Sequence, residues 1–206
     1  MTPNAARHWG ITHVFPHGTR HAGREWAFQF LFQSEFNRLD SLEASLALFW
    51  EEHQLNFDAD LERLAHAVGP IPPVAMKEIA KLRRQASRFA EKLIRGVLAT
   101  HPELDAAIAD ASAHWGIDRM GTADRNILRL GAYELLHHPD VPPAVAINEA
   151  VELAKTYSSF ESGRFVNGIL DHIHKNPPPS TAPASGGEPD DALPPPSDDA
   201  PAPDDA

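Results

Sequence analysis

Residues 124–135 read DRNILRLGAYEL, and this stretch decides the fold. Its apolar residues recur every three or four positions, which is the period of an amphipathic helix and not of a strand; they are Ile127, Leu128, Gly131, Ala132 and Leu135. Thr122 is the predicted N-cap, and Asp124 lies in the first turn, where the helix dipole favours an anion. Three prolines end this helix and start the next one, at Pro139, Pro142 and Pro143.

The helical period continues on both sides of this stretch. Towards the C-terminus it predicts one helix with the apolar face Ile147, Ala150, Val151 and Ala154, and a last helix with the face Phe165, Val166, Ile169, Leu170 and Ile173. Ser162 is the predicted cap of that last helix. Towards the N-terminus a long helix follows Pro72-Pro73 and ends near His101-Pro102, because residues Ile79, Leu82, Ala86, Phe89, Ala90, Leu93 and Val97 share one face. Three shorter stripes are predicted over residues 42–50, 57–68 and 104–115.

Residues 19–37 are dense in aromatic side chains, and their period is ambiguous. The alternation of Trp26, Phe28, Phe30 and Phe32 with polar positions such as Gln29 would suit a strand. Apolar residues also fill the intervening positions, however, and apolar residues on nearly every side are typical of a buried helix, which we favour. No convincing strand remains elsewhere. The sequence therefore predicts an all-α fold, a compact helical bundle of about seven helices.

Composition divides the chain into three parts. Residues 176–206 contain ten prolines, seven Asp or Glu and no Lys or Arg, which predicts a disordered acidic tail. Residues 1–18 are interrupted by prolines and glycines and are predicted to be a flexible extension, so that residues 19–175 form the helical domain. The tail carries −7 of the formal charge of −11. The remaining −4 argues against coating long duplex nucleic acid, but it does not exclude a small RNA site.

Several classes of function are excluded by residues that the chain lacks. It has no cysteine, which excludes disulfides and a thiol nucleophile. No phosphate-binding, zinc-protease or hydrolase motif is present, so we do not expect an enzyme or a cofactor. His13, His17 and His21 are spaced by four, but Pro16 and Gly18 interrupt a helix there, so no metal site is expected. With no signal peptide or membrane-length apolar run evident, we expect a soluble cytoplasmic protein.

Two groups of residues suggest binding of an anionic polymer. Arg20, His21 and Arg24 open the aromatic helix, and the two arginines lie one turn apart on the same side, where Glu25 is the only nearby carboxylate in sequence. This pattern suits phosphate contact, although a solvated helix end explains it equally. The second group is residues 157–165, YSSFESGRF, in which aromatic rings, hydroxyls and an arginine occur in one short turn. Aromatic rings stack on splayed bases, as single-stranded RNA recognition requires.

Three motifs together resemble the NusB family of transcription antitermination factors. They are residues 124–135, DRNILRLGAYEL; residues 146–155, AINEAVELAK; and residues 165–171, FVNGILD. Residues 23–32, GREWAFQFLF, are similar to the opening motif of the family, so the resemblance covers roughly residues 19–175. It implies a fold of two packed helical subdomains. It also implies binding to the boxA segment of single-stranded RNA together with NusE, a small-subunit ribosomal protein, within an RNA polymerase complex that resists termination, notably on ribosomal RNA operons.

The resemblance also implies roles for individual residues. RNA should be contacted by the front of the first helix and by the turn before the last one, through Arg20, His21, Arg24, Tyr157, Glu161, Ser162, Arg164 and Phe165. NusE should be contacted by Asp124, and next by Phe32 and Arg125. An exposed carboxylate suits a basic ribosomal protein, because charge complementarity sets specificity and on-rate.

This sequence departs from the family pattern at the front of the first helix. His21 and Ala22 take the place of further arginines, Gly23 stands where Ala is usual, at a cost in helix propensity, and Phe32 stands where Tyr is usual. Unaided affinity for RNA is therefore expected to be modest. One alternative is a helical protein–protein scaffold with little RNA binding of its own. Another is an RNA methyltransferase, which we do not expect because it would need a second α/β domain with a cofactor-binding loop. A homodimer that hides the arginines is also compatible with the sequence, and the acidic tail either screens the RNA site or is an inert solubilising segment.

Overall fold

The structure is a computed structural model that describes residue 2 and residues 12–37, 41–112 and 116–179. Between residues 18 and 175 these described residues form seven α-helices and no strand. The helices are α1 (Gly18–Ser34), α2 (Leu42–Val68), α3 (Pro73–Ala99), α4 (His101–Ala111), α5 (Thr122–His137), α6 (Pro143–Tyr157) and α7 (Phe160–Lys175), with one 3-10 turn at Ile117–Arg119. The predicted all-α bundle of about seven helices is confirmed, and the aromatic segment is helical.

Most helix ends follow from the sequence, but three details differ from the prediction. Residues 42–68 form one helix instead of two stripes, because no proline or glycine interrupts them. α5 begins at Thr122 with Gly121 as its N-cap and no side-chain cap bond, so the prediction of Thr122 as cap is wrong. The cap of α7 is Ser159, whose hydroxyl accepts a hydrogen bond from the Ser162 backbone N–H, so the prediction of Ser162 is also wrong. Both errors are one to three residues, the usual uncertainty of a helix end.

The helices pack as two groups that share one core. α1 lies across α3, and α4 to α7 pack on one another, while α5 contacts α1, α3 and α4 as well as α6 and α7. Seven consecutive residues of α5, Asn126–Ala132, are buried, which explains why this segment is apolar on most sides. Exposed charged residues cover the outer faces of the bundle. No helix in residues 12–37, 41–112 and 116–179 is apolar over enough turns to span a bilayer.

Gly23 sets the close approach of α1 and α3. A Cβ atom built on it would lie 2.8 Å from the Phe89 ring and 2.9 Å from the backbone carbonyl oxygen of Ala86. A ring can shift, but the carbonyl belongs to a helix and cannot. Glycine at position 23 therefore lets the two helices approach closely. This accounts for a glycine where the family usually has alanine.

The structure also corrects the boundary of the N-terminal extension. Phe15 is only 2% exposed and packs against Trp26 and Phe57, with ring centroids 6.2 Å and 6.1 Å away. Burying a phenylalanine is worth about 1.5–3 kcal/mol, which is enough to hold this segment on the body. The extension predicted to be flexible is thus anchored from residue 15 onward. Residues 180–206 of the acidic tail lie outside the described residues.

Candidate nucleic-acid and partner interface

Arg20 and Arg24 lie side by side over the same aromatic ring. Their guanidinium carbons are 4.2 Å and 5.4 Å from the centroid of Phe89 on α3, so the predicted placement on one side of α1 is confirmed. A guanidinium over the face of an aromatic ring is attracted electrostatically by the ring, which orients both arginines over Phe89. The two residues differ in access, since Arg20 is exposed and Arg24 is only 4% exposed. Arg20 can meet a ligand in solution, and Arg24 cannot in this conformation.

Arg24 is held by a buried carboxylate. Its Nε and Nη2 atoms donate to the two carboxylate oxygens of Glu134 at 2.8 Å each, and Glu134 is 1% exposed. Glu149 lies 3.5 Å from Arg24 Nη1. Arg24 therefore joins α1 to α5 and is not open to phosphate, whereas phosphate contact by the exposed Arg20 stays a prediction. Glu134 could have been found in sequence, because it falls seven residues after Ile127 on the apolar face of α5, where an acidic residue needs a partner.

His21 is half-buried between two helices. Its Nδ1 atom lies 2.9 Å from a carboxylate oxygen of Glu149 on α6, and its ring centroid is 5.0 Å from that of His17. Glu149 therefore serves both His21 and Arg24. This carboxylate reduces the positive charge that the front of α1 presents, so the sequence expectation of only one nearby acidic residue, Glu25, was incomplete.

Tyr157 lies against α1, which brings the two predicted RNA-binding groups onto one side of the molecule. Its hydroxyl donates to Glu25 and accepts a hydrogen bond of 2.9 Å from Gln29 Nε2. Burial, and next the hydrogen bond to the Glu25 carboxylate, raises the pKa of Tyr157 to about 12. The hydroxyl therefore remains protonated near neutral pH. Beside it a cleft of about 260 Å³ opens between the start of α1 and the end of α6, lined by His17, His21, Glu25, Thr156 and Tyr157 among others.

The turn between α6 and α7 presents some of its predicted residues and buries others. Glu161 and Arg164 point outward, with 80% and 74% of their side chains exposed, and Arg164 lies 5.3 Å from the ring centroid of Phe160. Ser162 is buried and donates to Asp124 Oδ2 at 3.2 Å, while Phe165 packs partly against the core. Ser162 and Phe165 thus hold the turn in place. Phe160, which is 63% exposed, was missed because its apolar side chain alone does not distinguish a core residue from a surface one.

The predicted partner-binding residues lie where the end of α1 meets the start of α5. Phe32 is 37% exposed, and its ring is 5.9 Å from that of Phe28 and 5.3 Å from that of the more exposed Phe36. Asp124 is half-buried, with Oδ1 buried and Oδ2 bound to Ser162 on α7, so the expectation of an exposed carboxylate there is wrong. The Arg125 side chain donates to Glu35. An exposed aromatic pair beside charged groups is the composition typical of a protein interface.

Glu35 links this surface to the rest of the bundle. It accepts hydrogen bonds from Asn126 and Arg129 at 2.9 Å each, in addition to the bond from Arg125. Burial alone would raise the pKa of Glu35, but the hydrogen bonds from Arg125 and Asn126 and the charges of Arg125 and Arg129 lower it below its ordinary value. Arg129 in turn makes two bonds of 2.7 and 2.9 Å to Asp105 on α4. Sequence reasoning missed this network, because Glu35 and Asp105 are remote in sequence from α5.

No group of histidine, aspartate and glutamate side chains capable of holding a metal ion occurs in residues 12–37, 41–112 and 116–179. His17 and His21 do approach each other, and Glu149 contacts His21.

Comparison with known proteins gives consistent matches over the helical domain. The model of the NusB family matches residues 21–175. Transcription antitermination protein NusB of Syntrophotalea carbinolica is 39% identical over 165 residues, covering 80% of this chain and 97% of that protein. The protein of the same name from Sorangium cellulosum is 40% identical over 159 residues, covering 77% of this chain and 94% of that protein.

Solved structures match the same part of the chain. T. maritima NusB has a TM-score of 0.55 at 32% identity and covers 76% of this chain and 91% of its own. A chain from the crystal structure of antitermination factors NusB and NusE in complex with dsRNA has a TM-score of 0.51 at 24% identity, covering 76% of this chain and 96% of that one. The second match supports the fold alone.

Proposed function

The chain belongs to the NusB family, as its motifs predict, and we propose that it is a transcription antitermination factor that binds boxA-type single-stranded RNA together with NusE. We place its action in the cytoplasm, on nascent ribosomal RNA transcripts within an RNA polymerase complex. The family consists of antitermination proteins and not of enzymes, so the prediction that the chain is not an enzyme is confirmed.

The observation that supports RNA binding most is the pairing of an exposed cation with an aromatic cleft. Arg20 is exposed and oriented by Phe89, and Tyr157 lines the cleft between the start of α1 and the end of α6. A cation suits a phosphate, and a cleft beside a tyrosine ring suits an unstacked base. The outward-facing Glu161 and Arg164 offer an acceptor and a donor for base edges or the backbone of the same strand.

The remaining predicted residues act in this proposal by positioning others. Arg24 fixes α1 on α5 through Glu134 and so places Arg20. Ser162 and Phe165 fix the turn that carries Arg164, and His21 borders the cleft. This division explains why a family motif contains residues with no access to solvent.

For NusE we propose the surface formed by Phe32, Asp124 and Arg125. The exposed ring of Phe32 would supply an apolar anchor, and the neighbouring charged groups would supply specificity. Because Asp124 also bonds to Ser162, this surface and the RNA-binding turn are joined by one contact. Binding of NusE there would stabilise the turn for RNA.

A protein–protein scaffold with little RNA binding of its own is the second candidate. The burial of Arg24 and the pairing of His21 with Glu149 favour it, because Arg20 is the one exposed side chain of these three. In that case NusE would supply most of the RNA contact. A homodimer stays a prediction, which analytical ultracentrifugation of the purified chain would test.

The test is a gel-shift titration with boxA-like RNA, with and without NusE. We expect Arg20→Ala to weaken binding and to reduce the slope of log affinity against log salt by about 0.7, the value for one phosphate on a single strand. Arg63→Ala is the matched control, because Arg63 is an exposed arginine on α2 that forms an ion pair with Asp60 on the same helix. Equal affinities for the two variants in both lanes would favour the scaffold, and no shift in either lane would count against RNA binding altogether.

A further inference from the structure

Basic residues concentrate on one helix, α3. It carries seven of the eighteen Lys and Arg residues of the chain and only two carboxylates, Glu78 and Glu91. Five of the seven are spaced by four, three, four and four residues, which places them on one helix face. We call this set the basic stripe; it consists of Lys77, Lys81, Arg84, Arg88 and Lys92, all exposed. The buried residues of α3, such as Leu82 and Leu93, lie on the opposite face.

The charges of the basic stripe are largely uncompensated. Within residues 12–37, 41–112 and 116–179 only Lys81 has a carboxylate within 4 Å, and that contact, to Glu78, is long at 3.9 Å. The neighbouring Arg95 shows the contrast, because it is bound by both Glu43 and Glu91. Like charges one turn apart destabilise a helix by a few tenths of a kcal/mol per pair. A stripe that carries this cost on an otherwise acidic chain fits a polyanionic ligand.

The basic stripe ends at the proposed RNA site. Phe89, the ring that orients Arg20, lies between Arg88 and Lys92 along α3. Phe89 and Lys92 are three positions apart on α3, so their side chains are neighbours on the helix surface. Arg20 therefore extends the row of cations beyond α3 to the front of α1.

A groove runs beside the basic stripe, between α2 and α3. It has a volume of about 290 Å³ and is lined by Trp50, Gln54, Arg84, Ser87 and Arg88 among others. Trp50 is half-buried and leaves part of its indole accessible. A basic groove with an aromatic wall is the combination by which proteins follow single-stranded nucleic acid without reading its sequence.

We propose that the basic stripe is a second RNA-binding surface, which holds the phosphates of the strand that flanks the segment bound at Arg20. The stripe runs over the sixteen residues from Lys77 to Lys92, or about 22 Å for fifteen steps at the helical rise of about 1.5 Å per residue. That length matches about six phosphates at the stacked spacing of about 3.4 Å. The proposal rests on the proposed function, in that the first segment of RNA is held at Arg20 and Tyr157. Contact with these phosphates would add to the affinity for RNA without regard to its sequence, which a mildly acidic chain would otherwise lack.

The test compares a 12-nucleotide boxA-like RNA with a 30-nucleotide RNA that contains the same core. The variant is Lys81→Gln/Arg84→Gln/Arg88→Gln in the full chain. The matched control is Arg63→Gln/Arg119→Gln/Lys175→Gln, which removes the same charge from exposed positions on other elements. Circular dichroism melting checks that both variants fold.

We expect the wild type to bind the longer RNA about tenfold more tightly than the short one, or better, and the stripe variant to lose that gain. Its salt slope on the longer RNA should fall by about 2, for three phosphates at about 0.7 each. The short RNA should bind wild type and variant equally. Equal affinities of the stripe variant and the control for the longer RNA would overturn the proposal. The stripe would then be a candidate site for an acidic protein partner. If the wild type bound the longer RNA but not the short one, the Arg20 site would be contradicted, and the stripe would remain only as an independent RNA-binding surface.

Discussion

Replacing Glu134 by leucine tests the role assigned to Arg24. The substitution leaves the Arg24 guanidinium, which is 4% exposed, without the two hydrogen bonds of 2.8 Å that now satisfy it. Breaking a buried ion pair from one side costs about 3–5 kcal/mol, because an uncompensated charge remains inside. Glu149, 3.5 Å from Arg24 Nη1, retains part of the compensation. We therefore expect a loss near the lower end, about 3 kcal/mol.

The assay is urea denaturation followed by circular dichroism. With a slope of about 2 kcal/mol/M, a loss of about 3 kcal/mol lowers the midpoint by about 1.5 M. Arg24→Met should cost a comparable amount, because it leaves Glu134 as the unpaired buried charge. The double variant, which places two apolar side chains against each other, should cost much less than the sum of the two.

Additive effects of the two substitutions, within about 0.5 kcal/mol, would refute the reasoning, since independent residues add to within that margin. The same variants distinguish whether Arg24 only positions α1 or contacts the RNA itself. If Arg24 acts only through the fold, the double variant keeps the wild-type salt dependence of RNA binding whenever it is folded. A reduced slope in a fully folded double variant would mean that Arg24 reaches phosphate directly.

Three further outcomes follow from the structure. Gly23→Ala should lower the melting temperature, because overpacking against the α3 carbonyl costs about 1–3 kcal/mol and outweighs a gain in helix propensity of about 1 kcal/mol. Gly168→Ala is the control and should raise the melting temperature, because a Cβ atom built there has nothing within 4 Å. Ser159→Ala should cost about 1 kcal/mol of stability in urea denaturation through loss of the α7 cap, whereas Thr122→Ala should stay within about 0.5 kcal/mol. Burial lowers the pKa of His53 from 6.5 to about 4, so its contribution to stability is present above pH 6.5 and is lost as the pH falls towards 4. Denaturation at pH 5 and 7 should therefore differ less in His53→Phe than in the wild type, and an unchanged difference would contradict burial of a neutral imidazole.

Local information in the sequence was enough for the secondary structure. The three-to-four residue period, the prolines at 72–73 and 142–143 and the motif of residues 124–135 predict the helices and their order, because each depends on residues within a few turns of one another. Helix ends were less certain. Neighbouring residues one to three positions apart can each take the cap position. The sequence predicted Thr122 and Ser162 as N-caps, whereas the structure has Gly121 and Ser159 there.

The site required the tertiary structure. Glu134 lies 110 residues from Arg24, and Glu25 lies 132 residues from the Tyr157 hydroxyl that binds it. No period in the sequence reports such a pairing, so exposed and buried members of one motif look alike until the helices are packed. The basic stripe of α3 depends on both kinds of information. Its spacing can be read from the sequence, but its proximity to Arg20 requires Gly23, which lets α1 cross α3 at Phe89. Helix period is a property of neighbours along the chain, whereas access to a ligand depends on which surfaces remain uncovered after distant helices pack.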